Sequence, residues 1–280
     1  MDPRQSFYRS VRKGQVWLGA RLPAPVPDVL PPGPPVHLYC VYRRANEART
    51  WSLVSEARQL GWPVALWALD GPTDLLADST VGSGPGLKFD LLNHLLSLDP
   101  PGPEASLLIT DDDVIVARGS LAGLVRVAAA ASLELAQPAR SSHREASHPV
   151  TYAQPATVAR LTTFVEIGPV FLISPDRRAD IVPFPADAGM GWGLDVEWAR
   201  RAAASGWRLG VVDCVQVDHP DLIGASYETA GELDRSSRAV MGAGVEKVEE
   251  IQHTLSAWRR WRPSAPWLDT STRLEGRSLS

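Results

Sequence analysis

The chain has 280 residues, 44% hydrophobic and 21% charged, with a formal net charge of −4. Such a chain can bury a large core, and its mild acidity argues against a nucleic-acid binder that works through a general basic field. No apolar run approaches the ~18–20 residues of a membrane-spanning helix.

The first 35 residues are expected to stand apart from the compact domain. MDPRQSFYRSVRKGQ is basic and lacks the apolar core of a secretory signal, so it reads as a solvated arm or one that touches an anionic surface. Residues 21–35, RLPAPVPDVLPPGPP, read as an extended proline-rich linker or a strap across the surface, because proline fixes φ and removes backbone donors. The two cysteines, Cys40 and Cys214, sit in apolar runs without a CxxC pair and are expected as buried thiols. That usage fits a reducing cytoplasm, with peripheral membrane contact as a variant.

From Val36 the pattern alternates. VHLYCVY predicts a strand, NEARTWSLVSEARQLG a helix capped at Asn46 and stopped by Gly61, and PVALWALD a second strand ending at Asp70. GPTDLLADSTVGSGPG predicts a glycine-rich loop, LKFDLLNHLLSL a helix, and SLLIT a third strand that delivers Asp111, Asp112 and Asp113 at its end. Strand and helix in alternation imply a parallel sheet with helices on its faces, and ligands bind beyond the carboxyl ends of such strands. GSLAGLVRVAAAA then predicts a helix, LELAQPA a short strand, and RSSHREASHPVTYAQPATVAR a polar loop with exposed His143 and His148. LTTFVEIGPVFLIS predicts strand broken at Gly168-Pro169, LDVEWARRAAASG a helix, and WRLGVVDCVQVDH a strand pair. The compact domain is expected to span residues 36–225, with a helical extension and tail over 226–280. Trp258, Trp261 and Trp267 in that extension are expected to pack on the domain or on a second copy of the chain.

Three adjacent carboxylates repel, so they need solvent or a cation. Side chains alternate along an extended segment, which puts Asp111 and Asp113 on one side and Asp112 on the other. Two carboxylates on one side of a strand end suit Mn²⁺ or Mg²⁺, which take oxygen ligands; a solvated turn is the plain alternative. The strand end, DDDVI, is also close to the DxDx[TV] of a phosphatase of the haloacid-dehalogenase type, with Asp111 as nucleophile, but no later GDxxxD follows. Further on, GWGLD presents Trp192 between Gly191 and Gly193, and Asp195 opens a helix, where a carboxylate is favoured. These are either packing and helix-start residues or residues of a binding site. His219, after the last core strand, is a candidate to complete a carboxylate metal site.

DDD at a strand end, then GWGLD, then GVVDCVQVDH resembles the metal-dependent GT-A glycosyltransferases. With RLTTFVEIGPVF the order and spacing resemble the DUF707 family, glycosyltransferase-like proteins first defined as a domain of unknown function. The resemblance implies an α/β GT-A (Rossmann-like) fold: a mixed, mostly parallel sheet with helices on both faces. It implies a nucleotide-diphosphate sugar donor, a UDP-sugar favoured, and transfer of the sugar to a hydroxyl acceptor on a glycan, lipid or small molecule. Residue by residue it implies Asp111 and Asp113 on the metal and donor phosphates, Asp112 towards the ribose or donor sugar, and His219 as the third metal ligand. GWGLD then lies on the acceptor side, with Asp195 as base of an inverting reaction; Val196 and Glu197 depart from the family's GWGxED. Asp70 is the candidate acceptor for the nucleotide base, and Arg43 and Lys88 are either phosphate-binding or solvated cations. Glu166, in an apolar setting, is either bonded to Arg160 or a backbone group, or a reserve base. A catalytically silent nucleotide-sugar-binding protein is the alternative; such a protein would be free to lose any of Asp111, Asp113, Asp195 and His219.

Overall fold

The computed structural model describes residues 22–141, 148–220 and 230–260. Among these, ten strands form one mixed sheet in the order β10-β7-β9-β6-β8-β4-β1-β2-β3, with β5 pairing β9 off that path. The strands are β1 (Val36–Tyr42), β2 (Val64–Ala68), β3 (Thr80–Ser83), β4 (Ser106–Thr110), β5 (Ile115–Arg118), β6 (Leu135–Arg140), β7 (Thr157–Thr162), β8 (Val170–Ile173), β9 (Leu209–Asp218) and β10 (Thr254–Arg259). The helices are α1 (Glu47–Gln59), α2 (Lys88–Leu98), α3 (Leu121–Ala130), α4 (Pro175–Ile181), α5 (Leu194–Ser205) and α6 (Ala230–Gly242).

β3, β2, β1 and β4 run parallel. β8 lies antiparallel between β4 and β6, and β6 pairs with β9 in parallel. The sheet has helices on both faces, and β1 and β4 are buried on both sides of the pleat. Leu38, Cys40 and Tyr42 face a core with Leu53, Val54 and Ala57 of α1 and Leu121, Leu124 and Val125 of α3. Tyr39, Leu107 and Ile109 face the other core, with Phe89, Leu92 and Leu95 of α2 and Trp198 and Ala202 of α5. Truncating one such leucine to alanine costs about 2–5 kcal/mol.

Several elements differ from the sequence expectation. The glycine-rich segment after β2 holds an edge strand, β3, where Gly82 lets the Trp67 ring lie against the backbone. The polar segment after β6 enters β7 at Thr157, so β7 and β8 flank the Gly168-Pro169 break. They form no hairpin: β7 pairs β9 and β10, whereas β8 pairs β4 and β6. Residues 209–218 form one strand rather than a pair, its first part bonded to β7 and its end to β5. The C-terminal region is only partly helical. After α6 the chain returns as β10 on the edge of the sheet, antiparallel to β7, and Trp258 packs on the α1/α3-side core. Trp261, Trp267, His143 and the N-terminal arm lie outside the described residues. Cys40 and Cys214 are buried free thiols. Among the described residues no helix is long and apolar enough to cross a membrane.

Candidate active site

β4 is buried along its whole length and releases the chain at Asp111, whose backbone N–H donates to Pro169 O at 2.7 Å. The three acids make the turn, and the chain re-enters the sheet as β5. β5 runs antiparallel to the end of β9, with Ile115 opposite Asp218. That register lays the next residue of β9's exit, His219, against the acids. Its Nε2 lies 2.9 Å from Asp113 Oδ1 and 3.8 Å from Asp111 Oδ2. The ligand atoms of Asp111, Asp113 and His219 all fall within 4.8 Å of one another. Two carboxylates and one imidazole converging at that spacing fit a Mn²⁺ or Mg²⁺ ion in both donor type and reach. Burial alone would raise the Asp113 carboxyl, but hydrogen bonding and charge from His219 outweigh it and hold the carboxyl below its ordinary value.

Asp112 points away from the two candidate ligands, towards Arg43. It is buried, and Arg43 encloses it: the backbone N–H and Nε donate to Oδ2 at 2.8 and 2.9 Å, and Nη2 donates to Oδ1 at 2.8 Å. This bidentate pair ties the end of β1 to the acid turn, and both residues border the same cavity as the metal ligands. Lys88, at the start of α2, sets its Nζ 2.5 Å from Asp111 Oδ1 and donates to Ile167 O at 3.3 Å. Gly168 lies so near that a Cβ there would stand 2.9 Å from Asp111 Oδ2, so a larger residue would press on a candidate ligand.

Asp195 sits in the first turn of α5 and is buried. Its Oδ1 accepts from Val196 N–H at 2.8 Å, and its Oδ2 faces His148 Nε2 at 3.6 Å. Burial pushes the carboxyl up to about 7 despite the backbone hydrogen bonds. His148, expected exposed, has a side chain only 15% accessible and packs 4.7 Å from the Phe164 ring. Burial lowers its pKa to about 4, so the ring is neutral at pH 7, and its Nδ1 meets Gln252 Nε2 at 2.7 Å. Glu166 is also raised to about 7, chiefly by burial, and its Oε2 is buried with no hydrogen-bond partner.

The pairing of Glu166 with Arg160 does not occur. Arg160 is taken by Asp213, Nε to Oδ2 at 2.8 Å, inside the sheet. Its remaining donors reach Val150 O, Tyr152 O and Thr254 Oγ1. Asp213 also accepts from Gln154 N–H at 2.8 Å. The ion pair therefore fastens the segment that carries His148 to both β9 and β10.

The GWGLD turn is wedged between two helices. At Gly191, with φ +96°, a Cβ would collide with the buried Phe89 ring of α2; at Gly193, with φ +98°, it would stand 2.8 Å from Ala239 of α6. Glu232 of α6 accepts from Met190 N–H at 3.2 Å and pairs with Arg235 at 2.7 Å. Trp192 is thereby presented, half-buried, to a cavity of about 1380 Å³. The same cavity is bordered by Arg43, Lys88, the three acids, Glu166, Gly193, Asp195 and His219, and α6 and the segment after it form its outer wall. Gly191 shapes the turn without bordering the cavity. Asp70 also lies off the cavity wall; it is exposed and accepts from Arg44 N–H at 2.9 Å. Sequence reasoning missed Arg140, at the end of β6, and the approach of His148; both border the cavity. The strand-end rule that singled out the acids applies equally to Arg140.

A mixed, mostly parallel sheet with helices on both faces and an acidic turn at the end of β4 defines an α/β fold of the GT-A, Rossmann-like type. Solved structures with this fold include GalNAc-T7 with UDP, GalNAc and Mn²⁺, at TM-score 0.54 and 13% identity over 75% of this chain and 48% of that one. A second is the mannosyltransferase PcManGT from Pyrobaculum calidifontis in complex with GDP-Man and Mn²⁺, at TM-score 0.51 and 16% identity over 80% of this chain and 68% of that one. The chain thus spans about half the length of the first. At such identities the likeness concerns the fold. No protein-family model matches the chain, which leaves the DUF707 resemblance without further support. No curated protein matches it.

Proposed function

We propose that the chain is a metal-dependent glycosyltransferase that moves a sugar from a nucleotide-diphosphate donor, a UDP-sugar favoured, to a hydroxyl acceptor with inversion. One observation carries the reading: Asp111, Asp113 and His219 converge at the carboxyl edge of a GT-A sheet, in one cavity with the buried carboxyl of Asp195. The nucleotides and Mn²⁺ in the two similar structures support it, as does the likeness of TFVEIGPVF and GWGLD to DUF707.

Asp111, Asp113 and His219 would hold Mn²⁺ or Mg²⁺, which when bound supplies positive charge for the departing diphosphate. Lys88, beside Asp111, adds a second positive charge on that side. Asp112 holds Arg43 in a fixed direction at the same edge. In the transfer, the acceptor oxygen bonds to the anomeric carbon, the nucleotide diphosphate leaves with the electrons of the broken C–O bond, and the acceptor proton goes to Asp195 Oδ2. A carboxyl near 7 is partly ionised at neutral pH and basic enough to take that proton. Val196 N–H fixes Oδ1 and neutral His148 stands beside Oδ2, so the receiving oxygen is oriented. Trp192 offers an apolar face to a sugar ring, and Glu166 is the reserve base.

Thermal melting with UDP and GDP, each with and without Mn²⁺, tests the reading. Stabilisation of several degrees that needs both nucleotide and metal, and that is lost in His219→Ala, is expected. Stabilisation by neither nucleotide would overturn it. Slow metal-dependent hydrolysis across a panel of sugar nucleotides then identifies the donor; binding without turnover would favour the catalytically silent alternative.

A further inference from the structure

Each acid of the inner cavity wall except one has a cationic, imidazole or backbone partner. Asp111 is shared by Lys88 and His219, Asp113 is held by His219, and Asp112 by Arg43. Asp195 has Val196 N–H and His148. Arg140 is the converse case. It ends β6, is only 6% exposed and borders the cavity. Among the described residues no carboxylate lies within ion-pair distance of its guanidinium, and Glu166, the remaining acid, stays beyond that range. Burying a guanidinium without a counter-charge is expensive, so such a group is kept where an anion arrives.

Its position says which anion. Ala153 N–H donates to Arg140 O at 3.1 Å, so Arg140 lies beside the segment that carries His148, whose Nε2 is 3.6 Å from Asp195 Oδ2. The cation beside Asp111, where a diphosphate would lie, is Lys88. The cavity, about 1380 Å³, exceeds the roughly 300–1,000 Å³ of an ordinary small-molecule site, which leaves room for a second substrate beside a donor. We propose that Arg140 is the anchor for an anionic group, carboxylate or phosphate, on the acceptor, and that the enzyme takes acidic rather than neutral acceptors. The naming of that ligand as acceptor rests on the glycosyltransferase reading. The planar fork of a guanidinium suits bidentate capture of either oxyanion, and lysine reproduces its charge without its geometry.

The test uses tryptophan fluorescence of the full chain, with Trp192 in the cavity wall as reporter. Glucuronate, glucose 6-phosphate and glucose are titrated without metal or nucleotide; UDP and GDP are titrated separately with Mn²⁺. Wild type is expected to bind one or both anionic sugars at least tenfold more tightly than glucose, and the stronger of the two tells carboxylate from phosphate. Arg140→Gln should lose that preference and Arg140→Lys keep part of it, while both keep nucleotide affinity within about threefold. Near-ultraviolet circular dichroism confirms that the variants are folded; if Arg140→Gln is not, the wild-type preference and Arg140→Lys decide. No preference for the anionic sugars in wild type overturns the inference, as does a tenfold or greater loss of nucleotide affinity in a folded Arg140→Gln or Arg140→Lys, which would assign Arg140 to the diphosphate. Anion binding through Arg140 without any nucleotide binding would keep the anion site and remove the glycosyltransferase reading instead.

Discussion

Asp195→Asn should make the protein more stable and less active, and the gain in stability should depend on pH. The carboxyl is near 7 in the fold against an ordinary 3.8, because burial disfavours its charged form. At about 1.4 kcal/mol per pH unit, ionising it in place costs about 4 kcal/mol. Because the folded-state value is the raised one, stability from this group is complete below pH 3.8, declines as pH rises, and is gone above about 7. Asparagine carries no charge and keeps an oxygen for the Val196 N–H, so it avoids the cost above neutrality. At about 2–4 °C per kcal/mol, the variant should melt on the order of 8 °C or more above wild type at pH 8, and the gap should shrink towards pH 5. Differential scanning fluorimetry at a series of pH values, without nucleotide or metal, measures this. An equal gap at pH 5 and pH 8, or a variant less stable than wild type at pH 8, would refute the reasoning. Transfer or donor hydrolysis should fall by 10²-fold or more in the same variant.

Gly191→Ala should lower the urea midpoint by the equivalent of about 1–3 kcal/mol, because it combines a positive φ with a collision against a ring that cannot move. Arg160→Leu should cost about 3–5 kcal/mol in thermal or denaturant unfolding by leaving Asp213 charged and buried. Adding Asp213→Leu should recover much of that loss, and a double variant no better than the single would count against a charge explanation.

The strands that border the site were legible because they are buried on both faces. VHLYCVY and SLLIT are continuous β-formers, and both became strands with the expected ends. The edge strands were not. TVGS contains a glycine and lies half in solvent, and LSAWR is amphipathic and largely exposed, so pairing with β2 and β7 decides their conformation rather than their own composition. The metal candidates could be named from sequence because the end of β4 fixes where the acids emerge, although the acids form a turn and do not continue the strand. What no local pattern contains is the β5–β9 register that carries His219 across to them. The same limit hid His148, which owes its burial to Phe164 and Gln252, residues 16 and 104 positions away. Asp70 looked like a base-binding group by position, yet its carboxylate accepts from the backbone N–H of Arg44.

The last described stretch of the chain supplies Gln252 to His148, Thr254 to Arg160 and the α6 wall to the cavity. These contacts come from residues beyond the elements that carry the acids, the lysine and the late histidine. Substitutions on the cavity-facing side of α6 would therefore reshape the cavity while leaving Asp111, Asp113 and His219 untouched.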